Sequence, residues 1–229
     1  MRNMKNRFKV ILIVVGVVIV GLIAWDWASD GELFSTPKYP GFVNEETLDL
    51  PAEVRAQWEA QYDTALSSLE YDPEDLSANV TLAVLELSLG RYADARERME
   101  FVLSRNQLNA VNWTVFGDVA LKMGDYEAAE LAYLKSLEIS VDQQVIFKLE
   151  QVWREHLPSQ TDNIEALYRD AIAAEGQKRF YLVQLAAWYE ERDRLDEAAS
   201  HLKVASDLEP DNEELKAAYE EMARKAWGL

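Results

Sequence analysis

The chain has 229 residues, 49% of them hydrophobic, and no cysteine. The missing cysteines exclude a disulfide framework, a thiolate zinc site, a cysteine nucleophile and a lipidated N-terminal cysteine. The formal net charge is −18, and four of the 23 bases (Arg2, Lys5, Arg7, Lys9) precede every acid, leaving 41 acids against 19 bases in the remainder. A body that acidic repels nucleic acid and anionic headgroups, and favours a basic or neutral partner or simply solubility.

Residues 1–27 read as a basic tip and a membrane anchor. Phe8 to Trp25 is an apolar run of 18 residues broken only by Lys9. As a helix it would reach about 27 Å, close to the hydrocarbon thickness of a bilayer. A cleaved signal peptide wants small residues at alternate positions after the apolar core. Trp25 and Trp27 spoil that pattern, so a retained signal-anchor is expected. The bases before the run and Asp26, Asp30 and Glu32 after it place the N-terminus in the cytoplasm. The rest of the chain is then expected outside it, periplasmic or extracellular. Residues 28–50, with Gly31, Pro37, Pro40 and Gly41, read as a linker, interrupted by Phe34, Tyr39 and Phe42.

Pro51 suits the first position of a helix over 51–71, whose buried face would hold Val54, Trp58, Tyr62, Ala65 and Leu69. Two copies of a 34-residue pattern follow. Leu82, Ala83, Gly90, Tyr92, Ala95 and Met99 recur as Phe116, Gly117, Gly124, Tyr126, Ala129 and Tyr133. Glycine after the first helix of each unit supplies a left-handed turn. Small residues, Ala83 facing Ala95 and Gly117 facing Ala129, would let the paired helices cross closely.

This pattern resembles the tetratricopeptide repeat (TPR), a helix–turn–helix unit of the same period. The resemblance implies an all-α chain: antiparallel helix pairs stacked into a right-handed solenoid over 51–227. Its repeats would be 76–109, 110–143, 144–178 and 179–212, with a capping helix over 212–227. The third is degraded. It fits with one residue inserted near Leu157-Pro158-Ser159-Gln160, and Gln151 and Ile164 stand where small residues are expected.

TPR arrays present their first helices on a concave face. By repeat register the partner-binding groove would include Val80, Thr81, Val84, Val111, Thr114, Val115, Asp118, Lys148, Val152 and Val183. These are too apolar for the cationic clamp that some TPR domains use on a C-terminal carboxylate. They suit a hydrophobic peptide or an amphipathic helix, although several of the valines would equally serve to pack adjacent helices. The convex face reads as charged and solvated.

No catalytic, cofactor or metal site emerges. His156 and His201 lie in different repeats without ligand-like spacing. The acids at 72–75 and 209–213 lack the glycine and distal glutamate of a calcium loop and read as helix caps. The expected function is a single-pass, membrane-anchored adaptor or scaffold holding envelope or secreted proteins, without enzyme activity. The alternatives are a periplasmic holdase chaperone at the protein translocon and a fixed subunit of a membrane complex.

Overall fold

The computed structural model describes residues 50–228, all within one compact unit. The expected anchor and nearly all of the linker lie outside the described residues, among which no helix is long and apolar enough to cross a membrane. These residues are helical throughout, without a strand. A long first helix, α1 (Ala52–Tyr71), precedes four pairs: α2 (Leu76–Ser88) with α3 (Tyr92–Arg105), α4 (Ala110–Lys122) with α5 (Tyr126–Ile139), α6 (Gln143–Glu155) with α7 (Ile164–Glu175), and α8 (Arg179–Glu190) with α9 (Leu195–Leu208). Helix α10 (Glu213–Trp227) closes the array. Each helix packs on its sequence neighbours, as in an all-α, TPR-like solenoid.

The turns inside the pairs show why the pattern folds this way. Gly90, Gly124 and Asp193 occupy the same place in three pairs, with φ of 76°, 76° and 58°. In each, the next residue's N–H reaches back to the carbonyl five residues earlier. Arg91 donates to Glu86 at 2.8 Å, Asp125 to Ala120 at 3.0 Å and Arg194 to Tyr189 at 2.9 Å. That is a Schellman closure, which satisfies carbonyls the helix end leaves open. Side chains cap the starts: Asp75 accepts from Ser77 and Ala78 N–H, Asp142 from Gln144 and Val145, and Asn212 from Leu215.

The register is not uniform. The first helices of the pairs start at 76, 110, 143 and 179, steps of 34, 33 and 36 residues. Counted from those starts, burial repeats closely: Ala78, Asn79, Leu82, Ala83, Leu85 and Glu86 in α2 match Val145, Ile146, Leu149, Glu150, Val152 and Trp153 in α6, and Tyr181, Leu182, Leu185, Ala186, Trp188 and Tyr189 in α8. The third unit therefore begins one residue earlier than the sequence suggested. It also gains two residues, accommodated by a 3₁₀ turn at Pro158–Asn163. The residue standing in the small-residue place of its crossing is Glu150; Gln151 is exposed. Ile164 is the buried residue across from it.

Successive units are tied by side chains 29 residues apart. Arg91 donates to the Tyr62 hydroxyl at 3.0 Å, Arg96 to Asp125 at 2.9 Å and Arg194 to Glu165 at 2.7 Å. Where the irregular unit breaks this series, the Trp153 indole N–H takes over, donating to Glu130 at 2.6 Å.

Candidate functional site

The first helix of each pair buries one side and leaves the other to the inner face of the stack. Of the ten residues assigned to that face from the sequence, only Val84 and Val111 are large apolar residues in the open, 41% and 60% exposed. Val80 and Val115 are half-buried and pack on one cluster with Ala83, Ala95, Met99, Val102 and Val119. Val183 is likewise half-buried against the core around α8 to α10. Val152 is a correction. It is 1% exposed inside the core, because the earlier start of the third unit turns it from the groove to the packed side. The same shift brings out Phe147, 43% exposed, which the uniform register had hidden.

The polar members hold the array together. Lys148 Nζ donates to both Asp118 oxygens, at 2.6 and 2.7 Å, and the Tyr133 hydroxyl donates to Asp118 at 2.7 Å. This triad joins the second unit to the third. Burial, reinforced by the Asp118 charge, holds the Tyr133 phenol well above its ordinary value, so it stays a donor. Thr81 donates to the Ser77 carbonyl at 2.9 Å. Thr114 shares a 2.8 Å hydrogen bond with Ser136.

The inner face thus changes character along its length. Its first half shows Val84, Val111 and Phe147. Farther on, α6 and α8 expose Gln144, Gln151, Glu155, Glu190 and Glu191. Arg154 lies among them, bridging Glu150 at 2.7 Å and Glu191 at 2.8 Å.

A second concavity, about 420 Å³, lies between α1 and α2. Gln57, Gln61, Thr64, Ser68, Ser77 and Thr81 give it a polar wall, with small alanines between them. The sequence reading missed it, because no repeat pattern covers the α1 side.

His156 stacks on Tyr126 with centroids 3.8 Å apart, and His201 stacks on Tyr189 at 5.3 Å. Both are half-buried. Among the described residues no three of His, Asp and Glu gather as a metal site. Asn79 and Asn112, each in a sequence triplet that could accept a glycan, are buried in α2 and α4.

The tetratricopeptide repeat family profile matches residues 110–141. No curated protein matches the chain. Among solved structures, MamA is similar at 17% identity over 71% of this chain and 94% of its own, with a TM-score of 0.57. A second MamA structure gives 0.53 at 17% identity over 77% and 90%. YrrB, described as a TPR protein with an unusual peptide-binding site, gives 0.52 at 16% identity over 72% and 84%. At these identities the likeness is one of fold. The chain carries a tetratricopeptide repeat within a TPR-like helical array, an architecture generally used as a protein-interaction scaffold and not as an enzyme.

Proposed function

We propose that this protein is a single-pass, membrane-anchored adaptor whose inner face binds an apolar stretch of another protein outside the cytoplasm. The observation that carries the reading is the exposure of Val84, Val111 and Phe147 on the inner-face positions of three successive units. Large apolar side chains exposed in a concave setting favour a peptide or an amphipathic helix that buries them. The apolar run from Phe8 to Trp25 and the bases before it support the anchor and its orientation. Tethering at a membrane raises the local concentration of whatever is bound, so modest groove affinity suffices.

Photo-crosslinkers placed at Val84, Val111 and Phe147 of the full chain in its native membranes test the reading. Capture of a defined partner, reduced at least tenfold by Val84→Asp with Val111→Asp, is expected. A broad, weak client set would favour the holdase alternative. No capture, or capture insensitive to the double substitution, would remove the groove from the account. Protease added to the outer side of intact cells should digest the repeats; protection there would reverse the orientation.

A further inference from the structure

The four pairs share one arrangement that α1 lacks. On the second helix of each pair, three residues at matching places are covered by the first helix: Ala95, Met99 and Val102; Ala129, Tyr133 and Ser136; Ile164, Tyr168 and Ala171; Ala198, Leu202 and Ala205. None is more than 7% exposed. By the 34-residue step from the first pair, the corresponding residues of α1 are Gln61, Ala65 and Ser68. Gln61 is exposed and Ser68 half-exposed. The concavity between α1 and α2 is therefore the slot in which a preceding first helix would lie, and among the described residues no helix lies there.

We propose that this slot docks a helix of another protein, with hydrogen-bonding side chains along one stripe and Lys or Arg on its flanks. The inference rests on the adaptor reading and adds a second, distinct docking place to it. The occupant is a helix because helices cover the equivalent face in all four pairs, so a helix inserted here continues an interface the array already makes. The stripe is polar because the wall is polar. The Gln57 and Gln61 amides offer both donors and acceptors and make no hydrogen bond within the described residues. Thr64 and Thr81 donate to their own helices at 2.7 and 2.9 Å, which leaves their lone pairs facing out. An occupant with an apolar stripe would leave those groups dehydrated and unpaired. The flanks are basic because no base lines the slot. Helix α1 sets Glu53, Glu59, Asp63 and Glu70 against Arg55 alone. Lining alanines at 60, 65 and 78 let a helix backbone approach closely.

The test uses the full chain in detergent and a stapled helical peptide with Ser, Asn and Gln at i, i+3, i+4 and i+7 and Lys on both flanks. Saturable binding by fluorescence anisotropy is expected. It should weaken at least tenfold when Lys is replaced by Glu in the peptide, and equally with Gln61→Lys, which changes an exposed residue without touching the core. Ala65→Trp, which plugs the slot, should act the same way. Val84→Asp should leave peptide binding unchanged. Failure of the basic peptide to bind, or equal binding to Gln61→Lys, overturns the inference. So does a photo-crosslinker at Gln61 that captures a second copy or an earlier part of the same chain, because the slot is then already filled. If the slot fails while crosslinks from Val84 and Val111 persist, the adaptor reading stands and only this one falls.

Discussion

The second and third units solve the same packing problem with opposite chemistry. In the second, Gly117 sits where the helices cross, so close to Tyr133 that a β-carbon there would lie 2.6 Å from Cε1 and 2.8 Å from Cδ1. In the third, the equivalent places hold Glu150 and Tyr168, and the two are joined by a hydrogen bond from the phenol to the buried carboxylate. One crossing is closed by removing a side chain and filling the space with a ring. The other is held by a hydrogen bond and by Arg154, whose Nε also donates to Glu150. Burial and the carboxylate together keep the Tyr168 phenol protonated, far above its ordinary value. A repeat period can therefore survive a charge in its tightest place, provided every polar atom there has a partner.

The largest effect is expected at Glu150. Glu150→Ala strands a fully buried hydroxyl and half of the pairing of Arg154, at a cost of about 3 kcal/mol, roughly 6–12 °C in Tm. Combining Glu150→Leu with Tyr168→Phe removes both polar ends and should recover most of that loss. Differential scanning calorimetry with a double-mutant cycle measures it. Equal losses in the single and double variants would show that the crossing depends on shape and not on the hydrogen bond.

Gly117→Ala should cost less, about 2 kcal/mol, because the new methyl meets a ring that is itself buried and tied to Asp118. Urea unfolding measures the loss. A near-neutral result would mean that the Tyr133 ring moves aside freely, and that close approach is not what the glycine provides.

These two sites mark how far the sequence could be read. The regular units were legible because their defining residues are small or turn-forming at a fixed period; Gly90 and Gly124 stand where the backbone turns left-handed. The third unit was not, because its register is carried by burial. A one-residue deletion before α6 and a two-residue insertion before α7 nearly cancel over the unit, leaving only a net offset visible. That concealed deletion misassigned Val152 and hid Phe147. The slot beside α1 was illegible for another reason. It is defined by a helix that the repeat calls for and that the described residues do not contain, and its lining residues are ordinary surface types.

A smaller effect separates the turns. Gly124→Ala places a β-carbon at φ 76°, for about 1 kcal/mol of destabilisation. Asp193 already holds the same place at φ 58° in the fourth unit, so Asp193→Gly should stabilise by about 0.5 kcal/mol. Opposite signs in chemical unfolding are the expected signature. The same sign for both would mean that the Asp193 side chain contributes more to its turn than its backbone strain removes.

The last contrast is between the two stacked histidines. His201 lies against Tyr189, and burial, aided by the nearby Arg169 charge, lowers its pKa below the ordinary 6.5, with Glu165 and Glu197 opposing the shift. A base whose pKa falls on folding binds its proton more tightly in the unfolded chain. Its contribution is therefore fully present above pH 6.5 and is lost as pH falls from there through the lowered folded value. The loss precedes that of the lowered carboxylates Asp125 and Glu165, whose stabilisation fades only below their ordinary values of 3.8 and 4.5. Thermal melts from pH 7.5 to pH 3.5 should show a shallow decline in Tm beginning near 6.5 and a steeper one under 4.5. His201→Gln should remove the first and keep the second. If the shallow decline survives His201→Gln and disappears with His156→Gln, the titrating group belongs to the irregular third unit, where a two-residue insertion carries His156 onto Tyr126.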